Sequence, residues 1–252
     1  MTAGANGGQA GANGGQAAAK GGQAAAGVPG WLRDLAGAAG RAPVPDGLTP
    51  PNGGGRRSAV LILFGTGPSG PDVLLVQRSR NLRRHAGQPA FPGGAIDETD
   101  DGPVAAALRE AAEEALVDPA GVDVVSVLPE LYIWRSGFRV SPVLAWWREP
   151  GPVGPGDPAE VTHVARIAMA DLADPANRLT LRYAGRFTGP AFRAGPMLVW
   201  GFTAMILDRL LELGGWARPW DTGRVQDLLA ETGLTSIPPD QPGSIPPPAA
   251  AS

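Results

Sequence analysis

The sequence predicts an α/β fold in which helices cover both faces of a mixed sheet, an α/β/α sandwich formed by one domain. Short apolar runs rich in β-branched residues, typical of buried strands, alternate along the chain with segments whose apolar residues recur at helical spacing. Hydrophobic residues make up 43% of the 252 residues, which is enough to build a sizeable core.

The overall composition excludes several classes of function. The formal net charge of −3 argues against general nucleic-acid binding. The absence of cysteine excludes disulfides, zinc–thiolate sites and thiol nucleophiles. No apolar run reaches the length of a membrane span, and the first residues lack the charged and apolar regions of a secretory signal. We therefore expect a soluble, cytoplasmic protein that binds neither nucleic acid nor membranes.

Both ends of the chain differ in composition from its middle. The segment GANGGQA occurs twice near the start, and Pro-rich sequence fills the last residues, so neither end can build a core. Between them, a short helix and a linker rich in Pro and Gly precede the domain. The expected parts are a low-complexity tail (1–27), the helix and linker (28–57), the domain (58–235) and a disordered Pro-rich tail (236–252).

The predicted elements follow in order from these patterns. Ser58–Phe64 and Val73–Gln77 are apolar runs separated by a Gly/Pro-rich turn, which predicts a hairpin. The other expected strands are Val122–Leu128, Glu130–Trp134, Phe138–Trp147 and one that begins at Glu160. The expected helices are Gly30–Gly40, Pro103–Leu116, Pro196–Leu213 and Asp221–Thr232. Loops or turns are expected at 149–157 and 171–177, and Tyr183 is expected in a strand or loop beside the substrate.

The helix expected at Pro103–Leu116 is the first candidate for chemistry. Pro103 suits the first turn, with Asp100 or Asp101 as the expected cap. The spacing i, i+3, i+4 puts three carboxylates on one face: Glu110, Glu113 and Glu114. Neighbouring carboxylates repel one another, and a hard cation such as Mg²⁺ or Mn²⁺ would offset the repulsion. The alternative is a solvated acidic face.

Two further features favour the ligand-binding interpretation of this face. The upstream turn Phe91–Gly94 ends in two glycines, which let the backbone approach a ligand closely. Ala106 and Ala107 are expected on the acidic face, where they are too small to block a ligand.

A basic loop directly precedes this turn. Residues 78–88 include several cations, and arginine forks suit phosphates. A solvated charged loop is the alternative. Because the loop lies next to the glycines and the acids in sequence, Arg78 and Arg83 are the candidates for binding an anion.

These residues resemble the Nudix hydrolases, and the upstream part resembles the branch that acts on coenzyme A. The Nudix box positions are occupied by Gly94, Asp100, Arg109, Glu110, Glu113, Glu114 and Val117. The motif of the coenzyme A branch is matched by Leu74, Leu75, Arg78, Ser79, Arg83, Gly87, Phe91, Pro92, Gly93 and Gly94. There are three departures. The gap between Gly94 and Arg109 is one residue longer than in the general box, as it is in that branch. Leu116 replaces the late glycine, and Val76 replaces a threonine.

The resemblance implies a Nudix-type fold and hydrolysis of the diphosphate of coenzyme A or acyl-CoA. It implies Mg²⁺ or Mn²⁺ bound by Glu110, Glu113 and Glu114 with the Gly93 carbonyl. The implied catalytic residues are Arg109, Glu110 and Glu114, and the implied substrate-binding residues are Arg78, Arg83, Gly93, Gly94 and Phe138. A base outside the box would be Glu160 or Glu130. A homodimer is compatible with this assignment.

Two alternatives stay open at this point. The chain could act on another nucleoside diphosphate derivative, such as ADP-ribose or NADH, or it could be a non-catalytic module of the same fold. The arginine-loop motif argues against the first alternative. The complete set of three glutamates argues against the second.

Overall fold

The computed structural model describes residue 1 and residues 27–232, except 46, 52, 83–84, 135 and 184–186. Its strands are β1 (Arg56–Gly67), β2 (Gly70–Arg78), β3 (Pro89–Ala90), β4 (Gly93–Ala95), β5 (Val122–Val127), β6 (Leu131–Ile133), β7 (Phe138–Trp147), β8 (Val161–Ala168), β9 (Arg178–Tyr183), β10 (Phe187–Ala194), β11 (Met197–Val199) and β12 (Val225–Asp227). Its helices are α1 (Gly30–Arg41), α2 (Pro103–Ala115), α3 (Met169–Ala173), α4 (Gly201–Leu213) and α5 (Leu228–Thr232). Almost all of both tails lies outside the described residues.

The larger sheet is mixed, as predicted. Its central order is β3-β2-β1-β7-β5, while β4, β6 and β8 pair with β1, β7 and β2. The predicted hairpin is confirmed, because β1 and β2 pair antiparallel. In contrast, β1 and β7 run parallel, with Arg56 opposite Phe138. This parallel pair brings the start of β1 beside the start of β7.

Helices cover both faces of this sheet, which confirms the predicted sandwich. Side chains of a strand alternate between faces. Leu61 and Leu63 of β1 therefore pack in one core cluster with α2, while Ile62 and Phe64 pack in the other with α1 and α4. All four side chains are fully buried. In the part of the chain that the structure describes, every helix is too short or too polar to cross a membrane.

A second sheet of four strands, which the sequence did not predict, has the order β11-β10-β9-β12. It accounts for an error in the expected helix Pro196–Leu213. Residues Met197–Val199 pair with β10 instead, Trp200 is extended (φ −153°, ψ 179°), and the helix starts only at Gly201. An apolar run directly before a helix has no local signal that separates strand from helix.

Three smaller predictions also need correction. The helix expected at Asp221–Thr232 is a short strand followed by a helix from Leu228. The residues expected as a turn at 171–177 form the end of α3 and a 3₁₀ turn, Pro175–Asn177. Tyr183 lies in a strand, β9, as expected, but it lines neither cavity that the structure describes around the candidate site. It is buried, packs on Trp200 and accepts a hydrogen bond from the Gly201 N–H. Its role is to join β9 to the start of α4.

Candidate active site

The start of α2 differs from the prediction in its cap. Gly102 (φ 95°) occupies the capping position, and neither predicted aspartate caps the helix with its side chain. The Asp100 carboxylate instead accepts hydrogen bonds from Arg109 at 3.0 and 3.1 Å and from the Asp97 N–H at 2.9 Å. Asp100 thus anchors the arginine at the centre of the box.

Arg109 connects the acidic residues of the site. Besides Asp100, its guanidinium donates to Glu110 and Glu113, each at 3.0 Å, and to the Ala95 carbonyl at 3.2 Å. The bonds to Asp100, first among several causes, raise the pKa of Arg109 above its ordinary value. In turn, Arg109 lowers the pKa of Asp100. The arginine therefore stays charged and offsets the repulsion between the carboxylates.

The three glutamates of α2 lie in three different environments. The Glu113 side chain is 59% exposed, that of Glu110 is 17% exposed, and that of Glu114 is 4% exposed. Burial raises the pKa of Glu110, and it raises the pKa of Glu114 to about 7. One carboxylate is thus turned to solvent and two are held away from water.

Glu114 is the point where the box meets the upstream segment. Arg78 Nη1 donates to Glu114 Oε1 at 2.7 Å, and the Gly93 N–H donates to Glu114 Oε2 at 3.1 Å. Both contacts favour the ionised carboxylate, but they do not fully offset the effect of its burial. Residues from β2, β4 and α2 therefore converge on a single carboxylate.

The glycine turn (Phe91–Gly94) leads into β4, which Gly93 and Gly94 begin. These two glycines approach the carboxylates more closely than any residue with a Cβ atom could. A Cβ atom on Gly94 would lie 2.2 Å from Glu110 Oε1, and one on Gly93 would lie 2.4 Å from the Ala59 carbonyl oxygen. The first clash is with the end of a flexible side chain, and the second is with backbone. Gly94 thus leaves room for the Glu110 carboxylate, and Gly93 allows β4 to pack on β1.

The structure corrects the expected position of Ala106 and Ala107. Both are fully buried and belong to the core cluster between α2 and the sheet. Their small side chains let the helix approach the sheet, and they lie in the core, away from the acidic face of α2.

A cavity of about 350 Å³ opens beside the glycine turn. Its lining combines apolar side chains with arginines, and includes Arg56, Val60, Arg78, Gly93, Gly94, Phe138 and Phe202. A second cavity of about 560 Å³ is lined by Ser79, Arg80, Asn81 and Trp200, and Arg78 borders both cavities. The arginine paired with Glu114 therefore lies where the two spaces adjoin.

The structure brings most of the predicted site residues together, but not all of them. Phe138 lines the first cavity, as a substrate-binding residue would. Arg83 lies outside the described residues. Glu130 pairs with Arg139 at 2.6 Å, whereas Glu160 is exposed and its carbonyl accepts a hydrogen bond from the Ser79 N–H. Sequence reasoning missed Arg56 and Phe202, which reach the cavity from distant parts of the chain and follow no local motif.

The side chains predicted to bind the metal, those of Glu110, Glu113 and Glu114, do not converge on one point. Among the described residues, no three His, Asp or Glu side chains are grouped as a metal site. The reason lies in the ion pairs, because Glu110 and Glu113 turn to Arg109 while Glu114 turns to Arg78. The donor set is nonetheless carboxylate oxygen, the type that Mg²⁺ and Mn²⁺ prefer.

Known proteins resemble part of this chain. A protein called "Uncharacterized Nudix hydrolase NudL", from Escherichia coli K12, is 52% identical over 89 residues, which cover 35% of this chain and 45% of that protein. The protein of the same name from Shigella boydii matches equally well. The chain therefore spans less than half the length of these relatives.

Solved structures give a weaker likeness. The Mycobacterium smegmatis Nudix hydrolase RenU is 27% identical, with a TM-score of 0.41 over 49% of this chain and 76% of that one. The NUDIX domain of Shewanella oneidensis NrtR, solved with ADP ribose, is 24% identical, with a TM-score of 0.40 over 48% of this chain and 77% of that one. The profile of the NUDIX domain family matches residues 55–184, just over half of the chain. The matched range includes Arg78, the two glycines and the carboxylates of α2, but not Trp200 or Phe202. The chain therefore belongs to the NUDIX domain family.

Proposed function

We propose that this chain hydrolyses the diphosphate of coenzyme A or acyl-CoA, giving 4′-phosphopantetheine (or its acylated form) and adenosine 3′,5′-bisphosphate. The observation that carries the proposal is the 2.7 Å contact between Arg78 and Glu114. Arg78 belongs to the motif that resembles the coenzyme A branch, and Glu114 belongs to the box. Because Arg78 of one motif contacts Glu114 of the other, a substitution in either motif would disturb the Glu114 carboxylate. The contact therefore supports one shared function for both motifs.

A divalent cation, Mg²⁺ or Mn²⁺, fits the chemistry of the proposed donors. Glu110, Glu113, Glu114 and the Gly93 carbonyl would hold it, and burial of two of these carboxylates makes a positive partner favourable. Such an ion supplies neutralisation of the charge on phosphoryl oxygens and a lowered pKa for bound water.

The residues of the chain would supply positioning and proton transfer. Arg109 holds Glu110 and Glu113 in place, and Arg78 together with the Gly93 N–H does the same for Glu114. The attacking water must give up one proton to a carboxylate. The candidates are a box glutamate, Glu160 and Glu130, and of the last two we favour Glu160, because Glu130 is already paired with Arg139.

A substrate panel tests this function against its alternatives. The full chain would be incubated with Mn²⁺ and, separately, coenzyme A, ADP-ribose and NADH, and kcat/KM would be measured for each. We expect coenzyme A to have the highest value. A higher value for ADP-ribose or NADH would move the assignment to another nucleoside diphosphate derivative. Binding without turnover of any of the three would indicate a non-catalytic module.

Replacement of one proposed metal-binding residue gives a second test within the same assay. Glu113→Gln removes the charge of an exposed side chain and should leave the fold intact. We expect kcat to fall by at least about 100-fold, because a charge that holds the catalytic metal is lost. Near wild-type turnover at the wild-type metal optimum would show that Glu113 is not a ligand.

A further inference from the structure

Arg56 lies at the first cavity, on the strand that also supports the glycine turn. It begins β1, opposite Phe138 in the parallel pair, and its N–H donates to the Gly137 carbonyl at 2.9 Å. Its guanidinium stacks over the Phe138 ring at 4.8 Å from the centroid. Both side chains line the cavity. The position of the cation is therefore fixed by backbone pairing and by stacking.

The Arg56 guanidinium differs from other stacked guanidinium groups of the chain in that its N–H donors have no carboxylate partner among the described residues. Three arginines of the described chain stack on aromatic rings, and two of them also pair with a carboxylate. Arg166 pairs with Asp72 while stacked on Trp147, and Arg178 pairs with Asp208 while stacked on Phe192. Arg56 has no ion pair or side-chain hydrogen bond with any residue that the structure describes. Stacking orients a guanidinium but uses none of its N–H groups, so those of Arg56 are available to an anion.

The strand register sets the distance between Arg56 and the glycine turn. Ala59 is paired with Gly94, and Arg56 lies three residues before Ala59, so the two positions are about 10 Å apart along β1 at roughly 3.3 Å per residue. An extended arginine side chain and one ribose can bridge this length. Arg78 lies beside the glycine turn, at the opposite end of this distance from Arg56, and is already paired with Glu114.

We propose that Arg56 is a specificity-determining residue that binds a phosphate monoester on the ribose of the substrate, the 3′-phosphate in coenzyme A. This inference rests on the proposed function and deepens it. It assigns recognition of that phosphate to a residue before the box, whereas Arg78 acts at the diphosphate. The contribution of Arg83 stays a prediction.

The test compares two substrates that differ only in this phosphate. With Mn²⁺, kcat/KM of the full chain would be measured for coenzyme A and 3′-dephospho-coenzyme A. Arg56→Gln keeps part of the aliphatic stem over Phe138 but removes the charge. We expect a loss of about 10- to 150-fold for coenzyme A, mainly in KM, and less than about 3-fold for the dephosphorylated substrate. Arg56→Lys should recover part of the loss.

Arg57 provides the matched control. It is an exposed arginine on the same strand, its side chain points to the opposite face, and it does not line the cavity. Arg57→Gln should change kcat/KM by no more than about 2-fold, either for coenzyme A or for 3′-dephospho-coenzyme A. Equal losses for both substrates in Arg56→Gln, or no loss for either, would overturn the inference.

A binding measurement separates this inference from the proposed function. Calorimetric titration of wild type and Arg56→Gln with adenosine 3′,5′-bisphosphate and with AMP requires no turnover. We expect wild type to bind the bisphosphate at least about 10-fold more tightly than AMP, and Arg56→Gln to lose that preference. A preference that survives the substitution would contradict the role of Arg56 even if coenzyme A is hydrolysed. A preference that is lost would support the role even if the enzyme prefers another diphosphate.

Discussion

At the scale of single residues, the site depends on how closely the backbone of the glycine turn approaches the carboxylates. Gly94 faces a side-chain oxygen of Glu110, whereas Gly93 faces the backbone of β1. The two glycines are adjacent, yet they affect different properties of the protein. Gly94 leaves room for the Glu110 carboxylate and so affects activity, whereas Gly93 allows β4 to pair with β1 and so affects stability.

This difference leads to opposite expectations for two alanine variants. In Gly94→Ala the new methyl group displaces Glu110, so kcat should fall at least about 10-fold while the melting temperature changes little. In Gly93→Ala the methyl group meets the Ala59 carbonyl, so the free energy of unfolding should fall by about 2 kcal/mol or more. Thermal unfolding and turnover of both variants would check this. A stable and fully active Gly94→Ala would refute the close approach.

At the scale of elements, the end of α2 explains how the box tolerates Leu116 where the family has glycine. Leu116 adopts the left-handed conformation (φ 59°, ψ 29°) that glycine usually provides. The loop after β7 supports the helix end, because Gly154 and Gly156 donate N–H groups to the carbonyls of Ala115 and Glu114. The departure from the box therefore leaves the helix end in the conformation that a glycine would take.

The strain at this position predicts a stabilising substitution. Leu116 is 55% exposed, so Leu116→Gly loses little burial and removes a backbone strain of about 1–2 kcal/mol. After the extra chain entropy of glycine, we expect a gain of about 0.5–1 kcal/mol, or a few degrees in melting temperature. Ala112→Gly, inside the same helix, is the control and should destabilise by a similar amount. A lower melting temperature for Leu116→Gly would mean that its side-chain contacts outweigh the strain.

The extent to which these elements follow from the sequence depends on whether their signals are local. The bounds Phe138–Trp147 of β7 were predicted correctly, because the run is apolar and bordered by turn residues. β11 was not predicted, because its pairing with β10 comes from tertiary structure. In the site, Arg78, Gly94 and Glu114 belong to motifs that the sequence displays. Arg56 reaches the cavity only because β1 and β7 pair in parallel, which no short segment encodes.

At the scale of the whole molecule, α1 is part of the folded core. Leu32 and Leu35 are at most 1% exposed, and Trp31 packs edge-on against Phe64, Trp146 and Trp216. Helix α1 thus stabilises the sheet face opposite α2, although it precedes the segment that the family profile matches.

Truncation should reveal this difference between α1 and the tails. A chain of residues 28–236 should keep the activity and the melting temperature, because the composition of the removed ends cannot build a core. A chain of residues 42–236 also loses α1, and it should unfold at a melting temperature lower by 10 °C or more, at roughly 2–4 °C per kcal/mol. Thermal unfolding of both would decide the matter. A large loss in the first truncation would show that a tail packs on the domain.

Product analysis by mass spectrometry, after incubation of the full chain with coenzyme A and Mn²⁺, tests the central claim most directly. We predict 4′-phosphopantetheine and adenosine 3′,5′-bisphosphate in equal amounts, and at least about 100-fold less of both with Glu114→Gln, since this carboxylate joins the two motifs. Coenzyme A that stays intact in the presence of the wild-type chain, or products unchanged in Glu114→Gln, would contradict the account.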